Sequence, residues 1–441
     1  MRSILIAGTQ SGCGKTTATL ATMQHLINQG LNVQGFKSGP DFLDPLWHKK
    51  LTGNVSYNLD TKMVGILQSQ KLLSSAVVNQ CDTAIIEGVM GLFDGRTGIG
   101  KQGSSAHLAV SLNLEVWLVV DAKGMSGSIV PLVSGFVNFA QKMDLKISGI
   151  IANRVGSQHH AGLLKQFLHD ENLPPLIAWL DKQTPKLPER HLGLIQPNES
   201  PLPDFSDHFH IEQTNLVKLI PNYKPPLTVN ISSPKMRGSQ NLKGLTISIA
   251  RDQACCFIYP ANINWLNQQG ATIQYFSPIK GEAIADNTDA LWLPGGYPEL
   301  YAEQLSSSST LDSINHFITS GKPVLAECGG MMLLGQSLTD LEGKKWLMAN
   351  ILPITTQMQN KLASLGYREC ISGPNMGVKG HEFHHSIRTE IGTNELKTAP
   401  AFPVSRGDSG IQQQNIRASY IHWYFASAPE VVTSWFIGKR S

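Results

Sequence analysis

Ile4-Leu5-Ile6-Ala7-Gly8-Thr9-Gln10-Ser11-Gly12-Cys13-Gly14-Lys15-Thr16-Thr17 opens this chain, and Pro323-Val324-Leu325-Ala326-Glu327-Cys328-Gly329-Gly330-Met331-Met332 stands late in it. Each runs from an apolar strand through a sharp turn into a helix. In the first, glycines allow backbone N–H groups to wrap a phosphate, and the following helix N-terminus favours an anion. In the second, the turn is that of a nucleophile elbow, which lifts a thiol into the open ahead of free backbone N–H groups. The pair implies a chain that uses a nucleoside triphosphate at one site and a cysteine nucleophile at another.

Working outward, residues 4–7, 32–36, 83–87, 116–121 and 147–153 read as buried strands, and residues 15–29, 64–79 and 126–142 as helices. That alternation predicts a doubly wound parallel sheet. From about residue 193 to 243 Pro, Ser, Asn and His accumulate and periodicity fades, as in Gln196-Pro197-Asn198-Glu199-Ser200-Pro201-Leu202-Pro203. The reading is a domain over 1–194, a linker over 195–243 and a second domain over 244–441. Strands expected at 245–250, 271–276, 290–293 and 323–326 make the second domain α/β as well. A length of 441 residues suits two cores better than one.

Composition narrows the partners. A net charge of +3 gives no reason to expect nucleic acid or an anionic membrane. No apolar run approaches a bilayer span, and Met1-Arg2-Ser3 leads straight into the first strand without a signal-peptide pattern, so a cytoplasmic protein is expected. The six cysteines, at 13, 81, 255, 256, 328 and 370, form no paired framework and are read as reduced.

The phosphate loop departs from the strict Walker pattern, because Thr9 stands five places before Gly14 and Gly8 lies one further out. Lys15 would neutralise β/γ oxygens, and the Thr16 hydroxyl could ligate Mg²⁺. Phosphoryl chemistry also asks for carboxylates at the same sheet edge. Candidates are Asp41, Glu87 and Asp94, with Asp121 as a strand-end acid that could equally cap a helix. At the thiol, Cys328 needs a histidine base, for which His422 in Ser419-Tyr420-Ile421-His422-Trp423-Tyr424-Phe425 is the candidate. Gly296, in the turn Leu293-Pro294-Gly295-Gly296-Tyr297-Pro298-Glu299, and Gly329 would supply oxyanion N–H groups. His381-Glu382-Phe383-His384-His385 fits the zinc pattern H-E-x-x-H, but its surroundings read as loop and strand, where that pattern does not work. Arg406-Gly407-Asp408 is taken as incidental.

These residues resemble the cobyrinic acid a,c-diamide synthase family nearly end to end. The resemblance rests on the two opening stretches, on Phe36-Lys37-Ser38-Gly39-Pro40-Asp41 and on Glu189-Arg190-His191-Leu192-Gly193-Leu194. It extends to Ala250-Arg251-Asp252, Phe276-Ser277-Pro278, Gly380-His381-Glu382-Phe383-His384 and the run around His422. The N-terminal half looks like dethiobiotin synthetase, a P-loop NTPase sheet. The C-terminal half looks like a flavodoxin-like class I glutamine amidotransferase.

The resemblance implies that Cys328, activated by His422, takes ammonia from glutamine. ATP with Mg²⁺ phosphorylates two peripheral carboxylates of a corrin, and ammonia displaces the phosphate. It further implies that Gly12, Gly14, Lys15, Thr16 and Thr17 hold the nucleotide and Asn153 meets the adenine. Lys37, Asp41, Glu87 and Asp94 handle substrate and metal, with Thr16, Asp41 and Glu87 as the metal set, and the protein is a homodimer. Tyr424 stands where many class I amidotransferases place an acid behind the histidine, so the third member of the triad is unassigned. Alternatives are an amidase of another tetrapyrrole (hydrogenobyrinic acid or nickel-sirohydrochlorin), a deviant-Walker ATPase switch, and a plain glutaminase or peptidase. The switch predicts a second lysine near residues 9–11, where there is none.

Overall fold

The computed structural model describes residues 1–95, 100, 102–190, 193–194, 196, 199–212, 215–226, 240–391 and 399–437. His191 and Leu192 of the 189–194 motif, and much of the expected linker, lie outside the described residues. The chain divides into two compact units, Met1–Ser233 and Pro234–Ser441. Among the described residues no helix is long and apolar enough to cross a membrane.

In the first unit the strands are β1 (Arg2–Gly8), β2 (Val33–Ser38), β3 (Tyr57–Leu59), β4 (Thr83–Gly91), β5 (Val116–Asp121), β6 (Ile147–Val155), β7 (Leu176–Asp181), the short pair β8 (Glu189–Arg190) and β9 (Gly193–Leu194), and β10 (Phe209–Ile211). The helices are α1 (Lys15–Asn28), α2 (Leu43–Thr52), α3 (Ile66–Val78), α4 (Ser105–Leu112), α5 (Ile129–Gln141), α6 (Gln158–Asp170) and α7 (Leu216–Leu219). One sheet of order β10-β7-β6-β5-β1-β4-β2-β3 carries them, parallel except at β10. Alternation along β1 explains the two covered faces. Leu5 and Ala7 join one core with Ile86, Leu118 and Val120, while Ile4 and Ile6 join another with Ile85, Trp117 and Val119. With β1 between β4 and β5, the loop after it meets the C-terminal ends of its neighbours, where parallel sheets bind ligands.

Part of the stretch read as linker is folded into this unit. Phe205, Phe209, Leu216 and Ile220 are buried in the second core, and β10 adds an antiparallel edge to β7. Its apolar residues are isolated among Pro, Asp and His, and a three-residue edge strand leaves no period to read.

In the second unit the central sheet has order β12-β11-β13-β14-β22-β21. Its members are β11 (Thr246–Ala250), β12 (Thr272–Phe276), β13 (Ala290–Leu293), β14 (Val324–Glu327), β21 (Ile411–Gln413) and β22 (Ile416–Ser419). The five parallel strands run 2-1-3-4-5 in chain order, which is the flavodoxin-like order expected. Helices α8 (Pro260–Gln268), α9 (Ala302–Ser306), α10 (Thr310–Thr319), α11 (Gly329–Leu334) and α12 (Pro429–Ile437) complete the fold. Two smaller sheets are attached. One comprises β15 (Ser337–Thr339), β16 (Lys345–Leu347), β17 (Ile354–Met358) and β20 (Ser386–Glu390). The other, of order β18-β19-β23, comprises β18 (Ser364–Glu369), β19 (Lys379–His384) and β23 (Ile421–Tyr424).

Phe205→Ala should lower the stability of the first unit by about 3–5 kcal/mol, the usual loss for a buried aromatic. Denaturant unfolding measures it; a freely linking segment would show no change.

Candidate active sites

The phosphate loop is shaped by glycine. Gly12 and Gly14 have φ of 76° and 95°, and Gly14 is the residue preceding α1. A Cβ on Gly14 would lie 2.0 Å from Asn153 Nδ2, so no larger residue fits. No side chain caps α1 and no acid lies in its first turn, where Thr16 and Thr17 sit. Its first N–H groups therefore favour an anion. Lys15 is buried, donates to the Gln10 carbonyl at 3.2 Å, and is pushed below the usual lysine range by that burial. Both ends of the Asn153 amide are engaged within the protein: Nδ2 donates to the Cys13 carbonyl at 2.9 Å and Oδ1 accepts the Arg154 N–H at 2.9 Å.

Beside the loop lies a buried charge cluster centred on Glu87. Its Oε1 accepts from the Thr16 hydroxyl at 2.6 Å and from Lys37 Nζ at 2.9 Å. Its Oε2 accepts from His48 Nε2 at 2.8 Å, while His48 Nδ1 takes the Ser56 hydroxyl at 3.0 Å. Lys37 also pairs with Asp44 at 2.5 Å. Burial works against the charge on Glu87, yet Lys37 and His48 overcome it and hold the carboxyl well below the usual range. Burial likewise opposes the Lys37 ammonium, and Asp44 and Glu87 more than restore it. Asp44 is pushed up by burial and by the neighbouring acids.

Asp44 and His48 were not singled out in the sequence. Their signal is a spacing of four on α2, which places both on one helical face. Asp41 accepts the N–H groups of Leu43 and Asp44 at 2.8 and 3.0 Å, and it adds to the field at Lys37. Asp94 is exposed and accepts the Gly91 N–H at 2.8 Å, in a loop whose Leu92 N–H binds the Gly8 carbonyl. Asp121 pairs with Arg154 at 2.7 Å.

The thiol stands at a strained turn, but it is buried rather than lifted into the open as the elbow pattern suggested. Cys328 has φ 45° and ψ −108°, and its N–H donates to the Ser419 carbonyl at 2.7 Å. Gly295 separates the two reacting side chains: a Cβ there would lie 2.2 Å from His422 Cε1 and 3.1 Å from Cys328 Cβ. The Gly296 nitrogen lies 3.1 Å from where a Gly329 Cβ would stand, so the two expected oxyanion donors adjoin. Burial lowers His422 to about 3 and, with Glu299 and other acids, raises the Cys328 thiol. At rest the pair is a neutral thiol and a neutral imidazole, ready for proton transfer once an electrophile arrives.

Two further acids flank it. Glu327 is buried, accepts the Trp423 N–H at 2.9 Å and the Trp292 Nε1–H at 3.1 Å, and is raised by burial to about 8. Glu382 belongs to the H-E-x-x-H motif, which lies on β19 and beyond its end rather than on a helix, as its surroundings indicated.

A family model of the CobQ/CobB/MinD/ParA nucleotide-binding domain matches residues 4–194, and one of the CobB/CobQ-like glutamine amidotransferase domain matches residues 246–430. Fold and comparison together define a nucleotide-binding unit joined to a glutamine amidotransferase unit. The cobyrinate a,c-diamide synthase of Herminiimonas arsenicoxydans is 38% identical, over 97% of this chain and 95% of its own length. That of Salmonella typhimurium is 36% identical, over 99% and 98%. The hydrogenobyrinate a,c-diamide synthase of Rhizobium meliloti is 35% identical, over 96% and 99%. The chain belongs to the cobyrinate a,c-diamide synthase family.

Gly295→Ala should cut glutamine hydrolysis about a hundredfold, by displacing His422, while leaving the fold intact by circular dichroism. For Glu327 the folded state keeps a proton that the unfolded chain releases, so stability falls as pH rises from about 4.5 to about 8. Glu327→Gln should flatten that fall, which melting temperatures at pH 5.5, 7 and 8 would reveal.

Proposed function

We propose that this chain amidates the a and c carboxylates of cobyrinic acid, with ATP as activator and glutamine as ammonia donor. The observation that carries this is the presence of two prepared sites on one chain: the glycine-cradled loop with Thr16 on Glu87, and the Cys328–His422 pair over Gly295.

In the second unit His422 accepts the thiol proton as Cys328 attacks the glutamine side-chain amide. The tetrahedral oxyanion is held by the Gly296 and Gly329 N–H groups. His422 returns the proton to the departing ammonia, and water then releases glutamate from the thioester. In the first unit a carboxylate of the corrin attacks the γ-phosphorus of ATP and ADP leaves. Ammonia attacks the resulting acyl phosphate and phosphate departs, which solves the poor electrophilicity of a carboxylate. Gly12, Gly14, Lys15 and Thr17 bind the phosphates; Asn153, expected at the adenine, has its amide held by the Cys13 carbonyl and the Arg154 N–H.

The hydroxyl of Thr16 and the carboxylate of Glu87 are hard oxygen donors 2.6 Å apart, which fits Mg²⁺ bound chiefly by phosphates and water. When bound, Mg²⁺ supplies charge neutralisation at the phosphates. Lys37, bound to Glu87 and Asp44, fixes the carboxylate end of that site; under this reading Asp41 joins Thr16 and Glu87 as the metal set and Asp94 handles the substrate. Under this reading the reaction is cytoplasmic, and sedimentation tests the homodimer.

A second reading keeps the chemistry and changes the ring, since a relative named for hydrogenobyrinate is nearly as similar. Product mass after incubation with ATP, Mg²⁺ and glutamine, on each ring in parallel, decides between them. Two ATP-dependent exchanges of acid for amide on cobyrinic acid are expected.

Cys328→Ala should lose glutamine-dependent amidation and keep the ammonia-dependent reaction. Glu87→Gln should lose amidation with either donor by at least about a hundredfold, yet retain glutamine hydrolysis. Failure of ammonia to rescue the cysteine variant would sink the division of labour.

A further inference from the structure

The motif His381-Glu382-Phe383-His384-His385 has no part in the chemistry above, yet it lies against the thiol site. On β19, His381 is the direct register partner of His422 on β23. Glu382 and His384 are both buried. Glu382 Oε2 is held by Arg368 Nε and by the Asp408 N–H at 3.3 Å. Its Oε1 meets His384 Nε2 at 2.9 Å.

The protonation of His384 follows from its partners. Nδ1 lies 2.8 Å from the Ser386 carbonyl, which can only accept, so Nδ1 carries a hydrogen. Nε2 faces the Glu382 carboxylate, whose other oxygen takes Arg368 Nε and the Asp408 N–H, so Nε2 carries one too. Only the imidazolium satisfies both contacts. The ring also lies flat on Tyr420, with centroids 3.7 Å apart and 7° between planes, an arrangement that suits a cation. Tyr420 follows Ser419, whose carbonyl anchors the Cys328 N–H, and precedes His422 by two residues.

The charges around this ring and the thiol come from several elements: Arg368 on β18, His381 and Glu382 on β19, Arg388 on β20, Asp408, Tyr420, His422 and Cys328, with Glu299 and Glu327 also acting on the thiol. Arg388 and Asp408 pair with each other at 3.1 Å. His381 is driven to about 4, by burial first and then by Arg368, and is neutral. Arg368, Glu382 and His384 therefore sum to one positive charge. A conventional triad places a negative charge behind its histidine; Tyr424 stands at that place here.

We propose that His384, held as an imidazolium between Glu382 and the Ser386 carbonyl and stacked on Tyr420, is a positioning residue of the thiol site. Its ring clamps the 419–422 segment, which both anchors the elbow and presents the base. Its charge disfavours a proton on His422 and favours thiolate at Cys328, an influence opposite in sign to that of an acid behind the histidine. This rests on Cys328 being the glutamine-attacking nucleophile.

The test is the pH dependence of thiol alkylation by a diazoketone analogue of glutamine, alongside glutamine hydrolysis. His384→Gln removes one positive charge at a distance of several ångströms, and should move the acid limb of both profiles up by about one pH unit. Glu382→Gln lets His384 become neutral while removing the negative charge, so the sum is unchanged and the limb should stay near its original place. An unmoved limb in a His384→Gln protein that still reacts with the analogue would overturn the inference. A second measurement needs no variant to fold. In the unmodified protein at pH 8, nitrogen-15 spectra of labelled histidine should show a ring with both nitrogens protonated, and the absence of such a ring would equally overturn it. Cys328→Ala separates the two claims: if it still hydrolyses glutamine, the nucleophile reading itself has failed.

Discussion

The first unit depends on a carboxylate that has no access to water. An ionised acid in such a place is tolerated only if its lone pairs are filled by donors and its charge is met by a cation. Glu87 obtains these from three other elements: Thr16 at the start of α1, Lys37 on β2 and His48 on α2. Shifting any of these elements by one residue would leave the acid or Lys37 uncompensated. The same requirement that holds the sheet in register therefore holds the phosphate loop beside its acid. The site is preorganised because the alternative is an unpaired buried charge.

The second unit uses strain and close approach instead of charge. Cys328 is kept at positive φ by its N–H bond to Ser419, across the parallel pairing of β14 with β22. The base arrives on β23, three residues past that anchor. The glycine turn after β13 lets imidazole and thiol carbon crowd a position where no side chain fits. Around this pair the low accessibility favours neutral forms at rest, and the ionised Arg368 and Glu382 nearby are paired with each other. Binding and proton transfer then take place in a region where fixed charges act strongly.

How much of this could be read beforehand follows from the range of the forces involved. The strand–turn–helix at residues 4–17, the elbow at Cys328 and the alternating α/β pattern were legible because each is set by local backbone demands: glycine where φ is positive, an apolar run where a strand is buried, free N–H groups where a helix begins. The flavodoxin-like order agrees with what those motifs implied. The partnership of His48 with Glu87 depends on which way α2 faces, and the docking of Phe205 and β10 depends on an exposed sheet edge at β7. The zinc-like motif acquires its meaning only because β19 pairs with β23, which sets His381 opposite His422. Local pattern carries no information about strand order between distant segments. The sequence by itself determined which short pieces could form a phosphate loop or a cysteine elbow. The tertiary structure decided which acids, bases and cations meet there, because burial forces each of them to find a partner far away in the chain.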